Sequence, residues 1–362
     1  MAEKKRLANI ELLRCVAMVM VVAMHFMRES GSLLTSGTEV LTIRNIIATF
    51  LESFCIVAVN TYVLISGYYG ADSSFKMGKV FAFWCRVLFY ALLIPVVLLF
   101  CGVNIVAQDM GIYGLVQYVF PISSEHYWFA SSYLYLLLFM PLLNKALKEM
   151  TAKQAASLIT TLLILFCGVK SIVPVSLAFD RYGYDLIWFI CVYLVGLWLR
   201  LYGGKVAEWF QRHSGGVYFF SCFGIFAMTL GLWSMIPKAE GISYYFTVPF
   251  HYNFVLCLTG AIGLFYTFSK INLKEGRATD FFRNLGKYAF GVYLLHEHID
   301  LRHLWYPRLT NAINTWLGNN MVAFFAELFV CVVVIFTLGI LIDFIRERLF
   351  DFVIASWKRR RG

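Results

Sequence analysis

Asn9-Ile10-Glu11-Leu12-Leu13-Arg14-Cys15-Val16-Ala17-Met18-Val19-Met20-Val21-Val22-Ala23-Met24-His25 reads as one helix long enough to cross a bilayer. It carries a fixed cation near one end and an imidazole near the other. Ionisable groups inside a membrane span are costly, so each marks a functional site by default. Arg14 and His25 are eleven residues apart. At about 100° and 1.5 Å per residue they share one face, about 16 Å apart along the axis. One face of one helix therefore addresses both halves of the membrane.

The rest of the chain fits that reading. Of 362 residues, 60% are hydrophobic and only 14% charged, against about 25% charged in soluble domains. Residues 1–362 read as a single all-α, polytopic integral membrane domain, with no soluble domain beside it. The nine cysteines include no Cys-x-x-Cys pair, so they read as small hydrophobes and not as a disulfide or metal framework. The first run has a basic lead, but Arg14 interrupts its apolar core, so an uncleaved first span is expected.

A crossing takes about 20 apolar residues. Ten segments qualify: 8–28, 46–69, 79–102, 127–147, 155–173, 185–201, 216–236, 247–269, 285–303 and 319–345. The ninth is the least apolar, and 110–121 is short enough to lie along the outer surface. With both termini cytoplasmic, 22 of the 31 Lys and Arg fall on inner segments and 7 on outer ones, with Arg14 and Arg86 inside spans. That is the positive-inside pattern. It explains the net charge of +10 as a topology signal and a contact with anionic membrane lipids, not as nucleic-acid binding. Residues 346–362 read as a short basic cytoplasmic tail.

Polar groups divide between the two halves. His25, His126, His251, His296, His298 and His303 face the outer half, and only His213 the inner. Imidazoles tolerate interfaces as Tyr and Trp do, which suffices for His126, His213 and His303. His25 lies within an apolar helix, where an imidazole suits a general base. Arg14, Arg86, Lys76 and Lys79 lie in the inner half. Snorkelling to lipid phosphates accounts for Lys76. Arg86, among Trp84, Cys85, Val87, Leu88 and Phe89, needs an anion: a carboxylate or a ligand phosphate. Glu52 and Glu327 are in the outer halves of their spans, placed either to orient His25 or to satisfy another buried donor. His296-x-His298 would make poor joint ligands, because side chains two apart on a helix diverge; no metal is expected. The distribution fits transfer of a group from an inner anionic donor to an outer acceptor. It also fits a transporter or flippase with proton-coupling groups, or a scaffold in which Arg14 and His25 only pack helices.

These residues resemble a known family. Arg14-x10-His25 is similar to the signature of the membrane acyltransferase 3 family. In order along the chain, Val59-Asn60-Thr61-Tyr62-Val63-Leu64-Ile65-Ser66-Gly67-Tyr68 resembles its Ser-Gly segment. Tyr127-Trp128-Phe129 with Met140-Pro141-Leu142-Leu143-Asn144 resembles its Trp-rich span. Tyr193-Leu194-Val195-Gly196 and Gly291-Val292-Tyr293-Leu294-Leu295-His296 resemble later segments. The likeness runs from about residue 8 to 345. It implies a bacterial inner- or plasma-membrane protein that moves acyl groups, usually acetyl, from acyl-CoA to hydroxyls of surface glycans or lipid-linked saccharides. Acyl-CoA would be a co-substrate, with no bound cofactor. The resemblance makes His25 the base and associates Arg14 with acyl-CoA. It also suggests Asn60, Ser66 and Tyr293 as oxyanion donors; Trp128, His296 and Glu327 are further candidate contacts. One departure stands out: the family's Arg-x-x-Arg after the Ser-Gly segment is absent. Lys76, Lys79 and Arg86 are expected to meet the CoA phosphates in its place.

Overall fold

The computed structural model describes residues 6–71, 75–173, 181–238 and 241–360. Lys4, Lys5 and Arg361, used in the orientation count, and most of outer loop 174–184 lie outside them. The described residues hold helices and no strand. In order these are α1 Ala8–Glu29, α2 Ile43–Cys55, α3 Ala58–Gly70, α4 Met77–Phe100, α5 Val106–Met110, α6 Ile112–Val119, α7 Trp128–Glu149, α8 Ala152–Leu163, α9 Lys170–Ile172 and α10 Leu186–Leu201. They continue as α11 Gly204–Met235, α12 Ile242–Thr247, α13 Val255–Ser269, α14 Arg277–His296, α15 Trp305–Leu317 and α16 Met321–Arg359. Eight helical stretches among them are long and apolar enough to cross a membrane. The chain is an all-α, multi-pass membrane protein.

The two other expected spans correspond to α10, apolar but only 16 residues long, and α14. The expected 285–303 is displaced. The helix starts eight residues earlier, at Arg277, and stops at His296, because the next residues turn to form a polar cap. In that cap Asp300 Oδ1 accepts from Val106 N at 2.7 Å and from the Tyr118 hydroxyl at 2.9 Å. The expected second span is split at Ile56–Val57 into α2 and α3. A break in an apolar helix frees backbone groups that must find partners inside the protein. The Cys257 thiol donates to the Ile56 carbonyl at 3.6 Å, and Asn60 donates to the Tyr252 carbonyl at 2.7 Å. The expected eighth span opens on the last residue of α12 and the short turn Val248–Phe250 before α13, which itself has only 15 residues. Segment 110–121 falls on α5 and α6, of 5 and 8 residues, too short to cross. The expected tail is not separate: α16 continues unbroken to Arg359, and Arg346 is buried.

α1 is central, packing on α2, α3, α13, α14 and α16. The α3–α10 contact is backbone on backbone. A Cβ on Gly196 would lie 2.6 Å from the Leu64 carbonyl, and one on Gly67 would overlap the Tyr193 carbonyl. Small residues that admit such approach are what hold helices together in lipid, where apolar burial offers little drive.

Candidate active site

α1 presents Arg14 and His25 to two different hollows. On the inner side a 720 Å³ chamber is lined by Arg14, Ser66, Tyr69, Lys76, Lys79, Tyr133, Asn144, Lys145 and Lys148, among others. On the outer side His25 lines a 30 Å³ space with Met18, Val59, Tyr62, Trp128, Phe129, Tyr252, Phe290 and Tyr293. That is room for about one water. Tyr62 and Phe129 lie between the two, with Phe129 stacked on Tyr133 at 5.8 Å.

His25 Nδ1 lies 2.8 Å from His296 Nε2. His296 Nδ1 lies 2.6 Å from the Val292 carbonyl oxygen, which only accepts, so His296 carries its proton on Nδ1 and a lone pair on Nε2. His25 must then donate from Nδ1. Its Nε2 is left unprotonated, the atom a general base uses. The tautomer is thus assigned from the bonding pattern. Glu297 Oε1 stands 3.3 Å from the same Nδ1. His25, His296 and Glu297 have donor atoms all within 4.8 Å of one another, so they are the described residues best placed to hold a cation. The 2.8 Å nitrogen separation is an ordinary hydrogen bond, shorter than the about 3.4 Å between two ligands of a tetrahedral ion bound at about 2.1 Å. The geometry fits an oriented base.

The expected carboxylates do not orient His25. Glu327 is buried and held by Arg44 at 3.5 Å. Glu52 lines a separate outer hollow. The carboxylate at His25 is Glu297, one residue beyond the family-like Tyr293–His296 segment. His298 points elsewhere, with its ring centroid 4.4 Å from that of His126. It accepts from Asp300 N at 3.2 Å. His126, buried in that cap, has its pKa lowered to about 3 by desolvation, so it is neutral and structural.

Other expectations are sorted by their partners. Asn60 has both ends of its amide engaged: Nδ2 donates to the Tyr252 carbonyl, and Oδ1 accepts from Trp188 Nε1 at 2.9 Å. It ties α3 to α10. Ser66 is on the inner chamber, bonded to the Tyr62 carbonyl at 3.0 Å and the Tyr133 hydroxyl at 2.8 Å. Neither is available beside His25. Tyr293 is: its oxygen accepts from Phe129 N at 3.3 Å, leaving its own O–H for another acceptor. Trp128 forms part of the same wall. Arg86 finds its anion within the protein. Its Nη2 is 2.6 Å and its Nε 3.0 Å from the two oxygens of Asp343, and it does not line the inner chamber. The fixed partner of Arg14 is Glu11, at 2.5 Å, while Tyr62 donates to the Arg14 carbonyl at 2.5 Å. Lys145 and Lys148 join Lys76 and Lys79 around the chamber. They were legible in the sequence only as inner-side charge.

A family model described as an acyltransferase domain matches residues 7–343. No curated protein and no solved structure matches the chain. The matched region contains both hollows, α1 with Arg14 and His25, and the His296–Glu297 pair. The chain belongs to the acyltransferase 3 family and is a membrane acyltransferase.

Proposed function

We propose that this protein moves an acetyl group from cytoplasmic acetyl-CoA to a hydroxyl of a cell-surface glycan or lipid-linked saccharide at a bacterial inner membrane. The observation that carries this reading is the pair of hollows on one helix: a wide basic one at Arg14 and a small one at an oriented His25. Lys76, Lys79, Lys145 and Lys148 would surround the CoA phosphates, and the thioester would pass Tyr62 to reach His25. His25 Nε2 takes the proton of the acceptor hydroxyl as its oxygen attacks the thioester carbonyl carbon. The oxyanion is met by the Tyr293 O–H. Collapse breaks the C–S bond, and the imidazolium returns its proton to the thiolate. The small outer space disfavours a long acyl chain.

The test is transfer of label from acetyl-CoA to saccharide by purified protein in vesicles. Movement of a lipid-linked saccharide with no thioester consumed would overturn the reading in favour of a flippase. Two variants examine its parts. Lys76→Ala with Lys79→Ala should raise KM for acetyl-CoA about tenfold, from lost charge-assisted contacts, with kcat within about twofold. An unchanged KM would remove these lysines from the donor site. His296→Ala frees the His25 tautomer and should lower kcat about tenfold or more without moving KM. His296→Gln keeps an acceptor oxygen near Nε2 and should recover part of the loss. Equal activity of both variants would separate His296 from the chemistry.

A further inference from the structure

Outside the His25 space the protein has a second, unassigned hollow of 280 Å³ on its outer side. Thr49, Glu52, Tyr182, Tyr184, Thr247 and His251 contribute to it. Its volume is close to the low end of small-molecule sites, about 300–1,000 Å³. Glu52 is only 9% exposed, and its Oε2 has no hydrogen-bond partner. A buried carboxylate oxygen left unbonded is costly and calls for a donor. Tyr182 and Tyr184 also line an adjoining 390 Å³ hollow with Trp128 and Arg181. Trp128 in turn walls the His25 space, with ring centroids 4.5 Å from Tyr184 and 5.7 Å from Tyr252. An aromatic partition thus runs from Glu52 to His25.

An aromatic-lined hollow with one carboxylate suits either a cation or a hydroxylated ring. The local charges decide between them. Lys170 Nζ already sits 4.5 Å from the centre of the Tyr182 ring, and Arg181 borders the adjoining hollow, bonded to Glu125 at 2.6 Å. A further cation would find the Tyr182 ring already taken by Lys170. Neutral hydroxyl donors do not compete with it, and the C–H face of a pyranose packs on aromatic rings.

We propose that this hollow binds a hexopyranose ring of the acyl acceptor, with Glu52 accepting hydrogen bonds from ring hydroxyls and Tyr182 and Tyr184 flanking its C–H face. The proposal rests on the acyltransferase reading for the word acceptor, but its binding site stands on Glu52 and the aromatic wall. The experiment is isothermal titration of the full chain, without donor, with the methyl α-pyranosides of glucose, galactose, mannose and rhamnose. Saturable binding of at least one is expected. Glu52→Gln and Tyr184→Ala should each weaken it about tenfold or more, while binding of labelled acetyl-CoA stays within about twofold. No saturable binding to the unmodified protein, or binding by both variants as tight as by the unmodified protein, overturns the proposal. Pyranoside binding with no acetyl-CoA binding or turnover would instead leave the saccharide site and remove the acyl-transfer reading.

Discussion

Replacing His25 with Ala should reduce acetyl transfer by about 10²–10⁴-fold, the range general-base catalysis contributes. The protein should persist in the membrane at normal level. The argument is geometric. His296 accepts from His25 Nδ1, and that bond forces the lone pair onto Nε2. A second base in reach would soften the loss, but the other residues lining the space are Met, Val, Phe, Tyr and Trp. The measurement is label transferred per mole of protein, with acetyl-CoA binding as the control. The donor site is centred at Arg14, about 16 Å away along α1, so that binding should hold within about twofold. Normal transfer by the His25→Ala protein would sink the mechanism. Loss of donor binding together with transfer would assign His25 to the architecture of α1.

The second large effect concerns stability. Asp343 is fully buried and serves two guanidinium groups. Arg86 binds it through Nη2 and Nε, and Arg346 Nε reaches it at 2.7 Å. The Tyr90 hydroxyl adds a longer contact at 3.4 Å. Breaking a buried pair by removing one partner costs about 3–5 kcal/mol, because the other charge is stranded. Asp343→Ala strands two cations and should lie at or above the top of that range. Arg86→Ala leaves Asp343 with Arg346 and should cost less. The order is read by thermal unfolding of detergent-purified protein followed by size exclusion. The Arg86→Ala protein that remains folded should bind acetyl-CoA with KM within about twofold. A stable Arg86→Ala protein with a greatly raised KM would show that Arg86 meets the donor phosphates after all.

Arg86 shows where sequence reading stopped. Its position among apolar residues correctly demanded an anion. Whether that anion was internal or a ligand depended on Asp343, 257 positions away. His25 is similar: the helix and the imidazole were legible, but its partner is 271 residues distant. Glu52 and Glu327 were the carboxylates that span depth offered, and Glu297, the one beside His25, was not among them. Asn60 and Ser66 fell on family-like segments, yet their side chains are engaged in joining α3 to its neighbours. The lysines at the inner chamber were visible as orientation charge, without any sign that four of them surround one space.

The sequence by itself determined the all-α membrane character, most of the helices, and the placing of Arg14 and His25 at opposite ends of one helix face. Those follow from hydrophobic run length and the helical repeat, both local properties. Only the tertiary structure decided which charges pair, which hollow each carboxylate enters, and which nitrogen of His25 is free. The physical reason is that lipid and protein core are both apolar. A span's hydrophobicity therefore does not say which face meets another helix. That choice is made by small-residue contacts such as Gly67 against Tyr193 and by buried polar bonds between distant helices, and with it the site is assembled.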